Sequence, residues 1–72
     1  MILNRDFIVD FNKTIETFYA SNTPNSNPDL FDKNLEIVII EFMRKNKMNS
    51  TKAFKELKKL AESYIKTNLS KQ

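Results

Sequence analysis

The sequence predicts an all-α protein, a small three-helix antiparallel bundle with helices over residues 5–20, 28–46 and 50–67. Three observations predict it. Apolar residues recur at spacings of three and four along most of the chain. The breaks between these runs are short and polar, which favours antiparallel neighbours. Only one run is β-branched enough to read as a strand, and it has no partner with which to pair. The chain of 72 residues accommodates one domain.

In the first helix the apolar residues Phe7, Ile8, Phe11, Ile15, Phe18 and Tyr19 fall on one face. Asn4 is placed as its N-cap, and Leu3 and Ile8 flank it as a hydrophobic staple. The spacing of these aromatics is what core packing requires, so they read as core and not as a ligand box. Residues 21–27 form a polar turn containing Pro24 and no apolar residue. Asn27, Pro28 and Asp29 then match a cap, a proline at the first helical position and an acid in the first turn, so the second helix starts at 28.

The second helix carries Phe31, Leu35, Val38, Ile39, Phe42 and Met43 on one face, with Ile37 and Ile40 on another. So wide an apolar arc needs covering from two directions, either by two helices of the same chain or by one helix and a second subunit. In the second case Ile37 and Ile40 are the interface of a homodimer. Leu35 to Phe42 admits a rival reading as a strand, since residues 37–40 are β-branched throughout, but the missing partner disfavours it. Residues 44–49 break the pattern, and Asn49 or Ser50 caps a third helix. Its stripe of Ala53, Phe54, Leu57, Leu60, Ala61, Tyr64 and Ile65 is the cleanest in the chain. Glu62 and Lys66 stand in the favourable order for an i,i+4 pair, and the tail after 68 is expected to fray.

Composition closes off most chemistry. With no His and no Cys there is no disulfide framework, zinc finger, thiol nucleophile or imidazole base. With no Gly, the phosphate-binding loop and the dinucleotide fingerprint are excluded as well. Asp29, Asp32 and Glu36 lie along one helix edge, but helix surfaces show such spacing routinely. Tyr19 and Tyr64 read as core residues with an exposed hydroxyl. No catalytic residue, metal ligand or cofactor is expected. A chain this short buries only about 60% of its unfolded surface. Good helix packing or self-association must supplement its core.

Arg5, Asp6 and Asp10 interrupt the N-terminal apolar residues and leave no signal-peptide core. The longest apolar run is far short of the roughly 20 residues that span a bilayer, so a soluble, cytoplasmic protein is expected. Asn, Lys and Ile are abundant, as in low-GC bacterial and phage coding sequences. That bears on source more than on function.

The distribution of charge is the main functional clue. The net charge is +3. Residues 1–43 carry three cations against seven acids, a net −4, whereas residues 44–72 carry nine cations against Glu56 and Glu62, a net +7. The bland reading of the lysines is a solvated face that keeps a small protein soluble. The sharper reading is a field that steers an acidic partner, with Arg44, Lys45, Lys47, Ser50, Thr51, Lys52, Lys55, Lys58 and Lys59 as the contact residues. An acidic protein partner is the leading expectation. Small helical proteins of this kind serve as inhibitors, immunity proteins, antitoxins or adaptors, an analogy at the level of fold.

Nucleic acid is the alternative, through a helix, turn and helix whose second member presents Ser50, Thr51, Lys52 and Lys55. Against it, aligning Met48 with the apolar turn position puts Asn46 and Glu56 where buried residues belong, and the tight-turn Gly is missing. An anionic membrane surface is a lesser candidate.

Overall fold

The computed structural model describes residues 5–22 and 27–69. Three helices account for most of them: α1 (Arg5–Ser21), α2 (Pro28–Lys45) and α3 (Thr51–Tyr64), the last extended by a π-helical turn (Ile65–Leu69). No strand occurs among the described residues, and the whole of 35–42 lies inside α2. Its β-branched side chains are accommodated because tertiary packing of Leu35, Ile39 and Phe42 outweighs their weak helix propensity.

The core is one cluster drawn from every element. Phe11, Ile15 and Phe18 of α1 meet Leu35, Ile39, Phe42 and Met43 of α2, and Ala53, Leu57, Ala61 and Ile65 complete it. The aromatic residues join α1 to α2 in two groups. The Phe42 ring stands edge-on to Phe7 and Phe11, with centroids 5.3 and 5.0 Å away. At the other end Phe31 packs against Phe18 at 5.3 Å and Tyr19 at 6.0 Å. Such pairs contribute about 0.5–1.5 kcal/mol each beyond the area they bury. The two alanines of α3 let that helix approach closely, and no buried side-chain polar atom lacks a partner among the described residues.

The cap assignments for α2 and α3 follow the sequence. The Asn27 side chain accepts from the Leu30 amide at 3.0 Å. Of the two candidates before α3, Ser50 is the cap: its hydroxyl accepts from Lys52 and Ala53 at 3.1 and 3.3 Å. The Asn4 cap and the Leu3 staple lie outside the described residues, as do Pro24 and the tail beyond 69. Four boundaries differ from expectation. Two differ by the cap residue alone: α2 ends at Lys45 with Asn46 as its C-cap, and α3 starts at Thr51 with Ser50 as its N-cap. Ser21 belongs to α1, and Asn22 closes that helix by donating its side-chain amide to the Phe18 carbonyl at 3.1 Å. At the other end, helical structure continues through Asn68 to Leu69, because Leu69 packs against the core and holds the last turn in place.

Candidate functional site

The basic half begins where α2 ends. Asn46 caps the helix, the Lys47 amide bonds the Arg44 carbonyl at 3.1 Å, and the Met48 amide bonds the Met43 carbonyl at 2.8 Å. This pair of bonds is the Schellman arrangement, which requires a left-handed residue after the cap. Lys47 takes that conformation, with φ 58°, at a position usually given to glycine. The absent Gly therefore did not prevent a tight turn; a lysine adopts the strained conformation in its place.

The same turn folds Met48 back beside Met43, the apolar contact that accompanies this motif. Together with Ile40 of α2 and Phe54 of α3 they wall an open cleft of about 400 Å³, whose remaining lining is Arg44, Asn49, Ser50 and Thr51. No carboxylate of the described residues lines it. The cleft was not legible in the sequence, where Met43 and Phe54 read as core and Met48 as a turn residue. The signal that points to it is the five-residue interval from Met43 to Met48 across Asn46, the spacing of a capped helix end.

The expected contact residues divide by geometry. Arg44, Lys45, Lys47, Ser50, Thr51, Lys52, Lys55 and Lys59 are exposed. None of the six cations in that set has an ion-pair partner among the described residues. Lys58 differs. Its ammonium sits 2.5 Å from Glu36 and 3.5 Å from Asp32, spanning α2 and α3. The hydrogen bond to Glu36 holds its pKa above the ordinary lysine value, against the opposing effect of desolvation, and the charges of both acids add to the rise. Lys58 thus serves the helix packing and leaves the set of free cations. The reason is register: Asp32 and Glu36, four residues apart on α2, face the edge of α3 that carries Lys58.

Those two acids belong, with Asp29, to the carboxylate edge of α2, a spacing that can in principle hold a metal. They are satisfied by Lys58, and among the described residues no group of three or more acids, His or Cys is placed to hold an ion. Tyr64 is also engaged, donating its hydroxyl to Glu16 of α1. That hydrogen bond, with burial and the Glu16 charge behind it, pushes the Tyr64 pKa above its ordinary value.

Both α1 and α3 pack against α2, yet together they leave part of its wide apolar arc uncovered. Leu35, Ile39, Phe42 and Met43 are buried, whereas Ile37 and Ile40 keep 48% and 45% of their surface exposed. Leu30, seven residues before Ile37 and so on the same outward face, is exposed as well. The described residues leave this face uncovered. No helix among the described residues is long and apolar enough to cross a membrane. No family model, curated protein or solved structure matches this chain.

Proposed function

We propose that this chain is a small non-enzymatic interaction module that binds an acidic partner protein through the basic turn and third helix, in the manner of an inhibitor, immunity or adaptor protein. The observation that carries the reading is the state of the cations. Arg44, Lys45, Lys47, Lys52, Lys55 and Lys59 are exposed and without acidic partners among the described residues, while Lys58, which can reach Asp32 and Glu36, is paired. Unpaired like charges concentrated on one turn and one helix repel one another, and an acidic surface relieves that repulsion while accelerating encounter. The apolar lining beside these cations adds desolvatable area, which a purely solubilising face does not need.

The test is a pull-down from the native host with nuclease treatment in one arm. A protein that survives nuclease and is lost with the double variant Lys55→Glu/Lys59→Glu supports the reading. Capture that disappears on nuclease treatment sinks it in favour of nucleic acid.

One observation favours that second reading: Thr51, Lys52 and Lys55 stand exposed on the first turns of α3, where a major groove would be met. The positions that a helix-turn-helix buries count against it, because Asn46 and Glu56 are both exposed. Phosphate contacts would then dominate, and gel-shift affinity would fall steeply with salt. A homodimer through Ile37 and Ile40 is the companion proposal, supported by their exposure on a face the described residues leave uncovered.

A further inference from the structure

The cleft at the α2–α3 turn combines two features that neither the lysines nor the exposed isoleucines have alone. Its walls are apolar side chains from both helices and the turn: Ile40, Met43, Met48 and Phe54. Two of them are methionines, whose unbranched thioethers adapt to the shape of an inserted group. Arg44 lies in the lining itself. Lys47 precedes Met48 in the turn, and Lys55 follows Phe54 and stands one helical turn beyond Thr51, so both are placed at the margin. Glu41, next to Ile40 in the chain, lies on the α1 side of α2, where it lines a separate hollow with Thr14, Thr17 and Val38. The acids one and two turns before Ile40 on its own edge are Glu36 and Asp32. Both are held by Lys58, which stands one turn beyond Phe54 and bridges the helices at that end of the groove. An apolar cleft with cations at its margin, no carboxylate in its described lining and the acids of its own edge of α2 paired is complementary to an apolar side chain flanked by acids.

The geometry points to this cleft as an anchor pocket that seats one large apolar side chain, of the leucine, phenylalanine or methionine class, from an acidic amphipathic helix of a partner protein. The inference rests on the reading of the basic face as the contact for an acidic partner and adds what that face must hold at its centre. Interfaces concentrate their binding energy in a few anchors inserted into desolvated pockets, with charged residues at the rim steering and orienting them. A helix laid in a groove presents such an anchor with flanking positions three and four residues away. Carboxylates there would meet Arg44, Lys47 and Lys55.

The probe is a displayed library of random peptides long enough for about four helical turns, selected on the intact chain. Enriched peptides are expected to carry Asp or Glu three or four residues from a Leu, Phe or Met. Their affinity should drop at least about tenfold, or 1.4 kcal/mol, with Ile40→Lys. It should hold with Ile37→Lys, a similarly exposed site on the outward face. Circular dichroism of both variants checks that the helices persist. Acidic peptides enriched without an apolar anchor overturn the pocket and leave the basic-face reading standing. Equal loss with both isoleucine variants also overturns it. Enrichment of no acidic peptide overturns both readings. Two further results overturn the pocket by reassigning it: a single-stranded oligonucleotide that shifts the Met48 and Phe54 resonances where no peptide does, or self-association abolished by Ile40→Lys alone, which would assign the cleft to a second copy.

Discussion

Lys47 offers a test in which stability and binding separate at a single position. Its backbone sits at φ 58° with the side chain exposed, and the turn it makes is held by main-chain hydrogen bonds that any residue with an N–H can form. The left-handed conformation costs a residue with a Cβ roughly 1–2 kcal/mol. Glycine avoids that cost, but its looser unfolded chain returns about 0.5–1 kcal/mol, so between the midpoints of the two ranges the net backbone gain is about 0.7 kcal/mol. Removing the charge acts separately, because a cation near the end of α2 interacts with the helix dipole by about 0.3–1 kcal/mol. The informative comparison is therefore Lys47→Gly against Lys47→Ala, since both lose the charge and only one loses the Cβ. The glycine variant should exceed the alanine variant by about 0.7 kcal/mol in urea unfolding with equal m-values, or about 3–6 °C in Tm for a domain of this size. Both should weaken partner binding equally. If alanine proves as stable as glycine, the turn is not strained as described.

Four further outcomes follow from the same geometry. The double variant Lys55→Glu/Lys59→Glu should abolish partner capture while leaving the far-ultraviolet circular dichroism unchanged, because both side chains are exposed and unpaired among the described residues; loss of fold would contradict their placement. Ile39→Ala, at a fully buried site, should cost about 2–5 kcal/mol, a large share of the roughly 0.05–0.15 kcal/mol per residue that holds a small domain folded; a smaller loss in urea unfolding would mean that the core collapses around the gap. If Ile37 and Ile40 form a homodimer, light scattering should show mass rising with concentration and Ile37→Lys should hold the chain monomeric; a monomer at every concentration ends that proposal.

The last outcome concerns alkaline pH. Tyr64 and Lys58 both have folded pKa values raised above their ordinary 10.0 and 10.5. The stability each contributes is thus fully present below its unfolded value and lost as pH rises through the folded one. In a Tyr19→Phe background, phenolate absorbance should place Tyr64 above 10.0, and Glu16→Gln should bring it down; no change would remove Glu16 as the cause. Lys58→Met should flatten part of the fall in stability above pH 10.5.

The helices were legible because their signals are local. Asn27 and Ser50 cap whatever helix follows them, and the three-and-four spacing of Phe11, Ile15 and Phe18, or of Ala53, Leu57 and Ala61, determines which face each helix buries wherever the neighbours stand. The charge polarity is likewise a property of the chain alone. What the sequence by itself determined is therefore an all-α bundle with a basic third helix.

Only the tertiary structure decided how the surfaces are used, because that depends on distances between residues far apart in the chain. Lys58 looked like its neighbours until α2 brought Glu36 within 2.5 Å of it. The hydroxyl of Tyr64 finds Glu16 forty-eight positions away. Ile40 belonged to a surplus apolar arc, and it became the wall of a cleft when Lys47 took a left-handed turn and returned Met48 to face Phe54. Periodicity assigns a residue to a face, but it does not say what stands opposite. Long-range packing supplies that, and with it the difference between a paired lysine and a free one.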